Sequence, residues 1–81
     1  MLSELEIPRL QPWGTVKRCR QLARARAEAE EGIGRMDDLL VIAKRQGNVD
    51  KARVFRAKRA ELVDRERALR EAYNREGCGT L

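Results

Sequence analysis

Gln46-Gly47-Asn48-Val49-Asp50 separates two long segments in which apolar residues recur at helical spacing. Gly47 can adopt the left-handed conformation that ends a helix. The side chain of Asn48 or Asp50 can accept a hydrogen bond from the first free amide groups of a following helix. This stretch therefore predicts a sharp turn between two helices.

The segment before the turn predicts a helix over residues 15–46, with Thr15 as its N-cap. Gly32 and Gly34 each cost about 1 kcal/mol relative to Ala inside a helix. They mark a kink, a close approach of another helix or a break, and the absence of a good N-cap after them favours one continuous helix. We call the residues expected to face the other helix its seam, and in this helix they recur at alternating three- and four-residue steps, as in a heptad repeat. The seam residues are Cys19, Leu22, Arg26, Ala29, Ile33, Met36, Leu40 and Ala43.

The segment after the turn predicts a second helix that runs to about Glu76, where Gly77 supplies the stop. Its seam is Ala52, Phe55, Arg59, Leu62, Glu66, Leu69 and Tyr73. Folding about Asn48 brings the two seams together in one register. In that register Arg26 and Glu66 lie in neighbouring layers and can pair, which would fix the register more than it would stabilise the fold. The predicted layers are Leu40–Phe55, Met36–Arg59, Ile33–Leu62, Ala29–Glu66, Arg26–Leu69 and Leu22–Tyr73.

Composition agrees with a helical chain. The protein has 81 residues, of which 38% are charged and 4% aromatic, a balance typical of long helices and coiled coils. We therefore predict an all-α fold, an antiparallel two-helix hairpin resembling a coiled coil with an extended N-terminal arm. The arm covers residues 1–14, the hairpin residues 15–76 with its turn at 47–50, and the tail residues 77–81.

Apolar residues also lie off the two seams. Two helices bury only one stripe each, and a scaffold this small gains little net stability from its core. The remaining apolar positions therefore need a cover, which is a second copy in a four-helix bundle, a groove on another protein, or the arm itself. Pro8 and Pro12 favour an extended arm. The predicted partner-binding residues are Leu2, Leu5, Ile7, Leu10, Trp13, Leu39, Ile42, Val54 and Val63.

The charge is unevenly distributed around a net value of +5. Residues 15–27 and the hairpin tip at 44–60 are strongly basic, while residues 28–43 are acidic. Basic surfaces of this kind favour acidic partners, including nucleic acid. Neither interleaved aromatic residues nor a recognised DNA-reading motif accompanies them. Candidate contacts to nucleic acid or an acidic surface are Lys44, Arg45, Lys51, Arg53, Arg56, Lys17, Arg20 and Arg24.

Residues suited to catalysis are scarce. The chain has no His, and its one Ser is Ser3. Cys19 and Cys78 have neither metal-site spacing nor the pattern of a secreted disulfide framework, so reduced thiols are the default expectation. The folded hairpin would bring both near its open end, where a disulfide is geometrically conceivable. We predict no enzymatic activity, metal site, cofactor or small-molecule substrate.

The sequence pattern predicts neither a secretory signal nor a membrane span. Glu4, Glu6 and Pro8 stand where a secretory signal needs a basic start and an apolar run. The longest purely apolar stretch, Leu39–Ala43, is far shorter than a membrane span. We therefore expect no transmembrane helix, and a cytoplasmic or otherwise intracellular location, either alone or within a larger assembly.

The stretch from Arg45 to Ala52 resembles the turn between the two helices of a tetratricopeptide repeat, in which Gly-Asn or Gly-Asp precedes a small helix residue. The resemblance covers eight residues. Arg56 stands where the repeat has a large aromatic residue and Asp64 where it commonly has proline, and no second repeat follows. The resemblance therefore implies shared turn chemistry.

These patterns together predict a non-enzymatic helical interaction protein, such as an assembly factor, adaptor or inhibitor. It would bind a protein partner or itself through its apolar arm and off-seam helix face. The alternative is a dimeric nucleic-acid-binding hairpin that uses the basic tip.

Overall fold

The computed structural model describes residues 12–80, with side chains described for residues 16–79. It contains helix α1 (Pro12–Arg45), helix α2 (Val49–Arg75) and a short 3-10 helix, η1 (Cys78–Thr80). The helices run antiparallel and pack along their length. The predicted all-α two-helix hairpin is confirmed.

Helix α1 starts earlier than the sequence indicates, at Pro12 instead of Thr15. Residues 12–14, which were assigned to the extended arm, are therefore helical. Pro is well tolerated in the first turn of a helix, because the amide group it lacks would have no partner there. The helix then continues through Gly32 and Gly34 to Arg45, as expected. The arm residues Leu2, Leu5, Ile7 and Leu10 lie outside the described residues.

The turn between the helices is a Schellman motif followed by an Asn cap. Gly47 has a φ of +66°. Its amide donates to the carbonyl of Lys44 at 3.1 Å, and the amide of Asn48 donates to the carbonyl of Ala43 at 2.9 Å, which together satisfy the end of α1. The Asn48 side chain then accepts a hydrogen bond from the Lys51 amide at 3.0 Å. Asn48, and not Asp50, is thus the N-cap of α2.

The hydrophobic core divides into two clusters at opposite ends of the hairpin. The turn-end cluster contains Leu40, Ala43 and Ala52, with Phe55 packed against them. The open-end cluster contains buried Cys19, Leu22 and Cys78, with Leu69, Ala72 and Tyr73 packed against them. Both clusters agree with the predicted register, in which Leu40 lies near Phe55 and Leu22 near Tyr73.

A charged layer lies between the middle of the hairpin and its open end. Glu66 is only 9% exposed, and its carboxylate lies 3.5 Å from the Arg26 guanidinium and 3.6 Å from that of Arg70. The Arg26 guanidinium also lies over the ring of Tyr73, 5.2 Å from its centroid. The pairing of Arg26 with Glu66 is therefore present, as the register predicts.

The two cysteines differ from the default expectation of reduced thiols. Cys19 and Cys78 form a disulfide, with their Cα atoms 5.5 Å apart. The hairpin register places the start of α1 beside the residues that follow α2, so positions separated by 59 residues meet. That Cα separation lies within the range a disulfide requires.

Candidate interaction surface at the turn end

The turn end, defined here as residues 38–56, carries most of the exposed large aliphatic side chains of the described region. Val49 and Val54 are each 63% exposed, while Val41 and Ile42 are 49% and 48% exposed. Outside the turn end, Val16 alone among the described side chains belongs to this exposed class. Exposed aliphatic groups gathered in one region are typical of a contact surface.

The four predicted off-seam residues are divided between the two long sides of the hairpin. Residues that immediately precede seam residues lie on one flank of the seam. In an antiparallel helix pair, this flank of one helix faces the same flank of the other. Leu39, Ile42 and Val54 each immediately precede a seam residue, so they share one side of the hairpin, which we call the Leu39 side. Val63 lies on the other side, as do Val49 and Arg56.

Contacts across the hairpin are consistent with these two sides. Gly32, one heptad before Leu39, lies against the seam residue Leu62 of α2. On the opposite side, the carboxylate of Asp37 lies 2.6 Å from the Arg59 guanidinium. The four residues therefore do not form one continuous apolar face. Ile42 and Val54 are exposed, whereas Leu39 and Val63 are half-buried.

Cations surround these aliphatic groups. All five predicted basic residues of the tip, Lys44, Arg45, Lys51, Arg53 and Arg56, are exposed. Arg53 lies 3.6 Å from Asp50. The other four form no ion pair with any residue of the described region. Their charges are consequently available to an external partner.

A small depression lies within this region, beside the turn. Its volume is about 230 Å³. Lys44 and Arg56 contribute the cations of its wall, and the remaining lining is mainly aliphatic side chain and turn backbone. The lining residues are Ala43, Lys44, Gly47, Asn48, Val49, Ala52 and Arg56.

The second predicted basic cluster lies at the other end of the molecule. Lys17, Arg20 and Arg24 are exposed and form no ion pair within the described region. Along α1, Lys17 and Lys44 are separated by about 40 Å at the rise of an α-helix. The two clusters therefore do not make one continuous basic surface.

Sequence reasoning did not single out Val41 and Val49 as surface residues. Val41 directly follows the seam residue Leu40, but it is 49% exposed. Val49 begins α2 directly after its N-cap, where the opposite helix has already ended. The position of Val49 relative to the turn is the signal that identifies it.

Comparison of the chain with protein-family models, curated proteins and solved structures finds no match. Within the described region, neither helix is long and apolar enough to cross a membrane. No three His, Cys, Asp or Glu side chains among residues 12–80 are grouped as metal ligands would be. The surface properties of the hairpin are therefore the basis for a functional proposal.

Proposed function

We propose that this chain is a non-enzymatic interaction protein that binds an acidic, partly apolar surface of another protein through its turn end. One observation carries the proposal, namely that exposed aliphatic groups and unpaired cations occur together there. Val49 and Val54 are the most exposed large aliphatic residues among the side chains that the structure describes. Val49 lines the depression beside the turn together with Lys44 and Arg56, and Lys51 lies three residues before Val54 on α2.

Both components of the surface contribute to the argument. Burial of aliphatic groups supplies a favourable free energy of association. Cations around them accelerate encounter with an acidic surface and disfavour basic partners. Two turn ends packed against each other would bring like charges together, so a different acidic protein fits this surface better than the turn end of a second copy.

A photo-cross-linking residue at position 54 tests the proposal in the cells that make the protein. The matched control is position 68, because Ala68 is also exposed and lies on the same side of α2, two heptads nearer the open end. We expect a discrete protein adduct from position 54 and none from position 68. Exchange of Lys51 and Arg56 for Glu should remove the adduct, since it reverses two of the unpaired charges of the turn end.

Two results would overturn this proposal. One is the absence of any adduct from position 54, and the other is the same adduct from positions 54 and 68. An adduct whose mass equals two copies of the chain would identify self-association as the interaction, and one sensitive to nuclease would identify nucleic acid.

Nucleic-acid binding is the second candidate function. The free cations Lys44, Arg45, Lys51 and Arg56 at the turn end support it, because phosphate contacts need exposed Lys and Arg side chains without internal partners. The exposed valines have no role in phosphate binding, so the acidic-protein proposal accounts for more of the surface.

A further inference from the structure

The open end of the hairpin is held by a buried disulfide. Cys19 and Cys78 are 8% and 5% exposed, and they form one cluster with Leu22, against which Leu69 and Tyr73 pack. The covalent bond lies at the end of the molecule where no turn connects the helices.

This hairpin has a small core for its length. The buried hydrophobic residues of the described region are two Leu, three Ala and the two Cys. A small scaffold with so little buried aliphatic volume normally requires a disulfide, a metal or a second copy to be stable. Cross-linking residues 59 positions apart stabilises the fold by restricting the unfolded chain.

We propose that Cys19 and Cys78 are an oxidative modification site, at which a disulfide-bearing oxidant converts two thiols into the bond that holds the open end together. The oxidant is a protein disulfide oxidoreductase or a small-molecule disulfide. One cysteine thiolate attacks the oxidant's disulfide and forms a mixed disulfide, and the second cysteine then displaces the remaining oxidant thiol. The chain loses two protons and two electrons, which the oxidant takes up as it leaves as two thiols.

This inference also concerns where the chain works. Disulfides form and persist in oxidising compartments, whereas cytosolic thiols are kept reduced. The modification therefore points to an oxidising environment in place of the cytoplasmic location that the sequence suggests. It is independent of the proposed function, because the disulfide and the turn-end surface lie at opposite ends of the hairpin.

The state of the pair in the cell is tested by acid quenching, alkylation and intact mass measurement. We expect the chain to carry no alkyl group until it is treated with a reductant, and then to carry two. Two alkyl groups on the acid-quenched chain would overturn the proposal, because they would show that both thiols are reduced where the protein works.

The contribution to the open end is tested by hydrogen exchange on the purified full chain, with and without a reductant. We expect reduction to accelerate amide exchange in residues 19–26 and 69–75 more than in residues 40–45 and 52–56 at the turn end. The melting temperature should fall by about 10 °C or more.

A Cys19→Ser/Cys78→Ser chain is the control, since it should reproduce the reduced protein and ignore the reductant. An unchanged melting temperature and unchanged exchange at the open end upon reduction would overturn the proposed role of the bond.

Discussion

The backbone of α1 at Gly32 lies close against the side chain of Leu62 in α2. A Cβ atom added to Gly32 would lie 3.0 Å from the Cδ1 atom of Leu62, tighter than ordinary van der Waals contact. Of the three explanations for a glycine within α1, the close approach of the second helix is the one the structure supports. Gly34, two residues later, has open space where a Cβ atom would lie.

Substitution of these two glycines by Ala should give different changes in stability. Gly34→Ala should raise the free energy of unfolding by about 1 kcal/mol, because it gains helix propensity at no steric cost. Gly32→Ala should gain less, because its methyl group must displace the end of the Leu62 side chain. Urea unfolding of both variants measures the difference, and equal gains would contradict the close contact.

Removal of the Asn48 side chain should weaken the start of α2. Asn48→Ala should lower the free energy of unfolding by about 1 kcal/mol, since the Lys51 amide loses its acceptor. Asn48→Ser should retain most of that free energy, because its hydroxyl can take over the cap.

Asn74→Ala is the matched control for the cap, at an exposed position near the end of α2. Its free energy of unfolding should stay within about 0.5 kcal/mol of the parent. Thermal or urea unfolding followed by circular dichroism gives all three values. A cost at position 74 as large as that at position 48 would argue against a specific capping role.

Much of this fold follows from the sequence because heptad spacing and turn chemistry are local signals. The seams placed Leu40 near Phe55 and Arg26 near Glu66, and Gly47 with Asn48 placed the turn. The predicted register brought Cys19 and Cys78 to the open end, but reduced thiols were the default expectation because two cysteines do not make the pattern of a secreted disulfide framework. Val63 does not share a side with Ile42 and Val54, because it follows a seam residue and they precede one, a difference that lying off the seam does not reveal.

The charged layer should behave as a coupled pair. Glu66→Ala should lower the free energy of unfolding by about 2 kcal/mol, because it leaves the partly buried Arg26 guanidinium without its carboxylate. Replacing both Arg26 and Glu66 by Leu should restore most of that loss, since well-packed apolar residues can substitute for a buried ion pair.

A double-mutant cycle by urea unfolding measures this coupling, with Arg26→Leu and Glu66→Leu as its single variants. Some loss should remain in the double variant, because Tyr73 no longer has a cation over its ring. Strictly additive losses would show that Arg26 and Glu66 act separately.

Salt dependence separates the two candidate functions of the turn end. At low salt we expect weak, sequence-independent binding of duplex DNA that falls steeply between about 50 and 200 mM salt, because it rests on contacts of exposed cations to phosphates. The Arg53→Gln/Arg56→Gln variant should reduce the slope of log affinity against log salt concentration by up to about two.

The control is the Lys17→Gln/Arg20→Gln variant, which changes two cations at the opposite end of α1. Its slope should equal that of the parent if the turn end makes the contacts. Fluorescence anisotropy with labelled duplex DNA and structured RNA provides the measurement. Absence of binding at low salt would eliminate the nucleic-acid function, and strong binding that persists at high salt would count against the acidic-protein proposal.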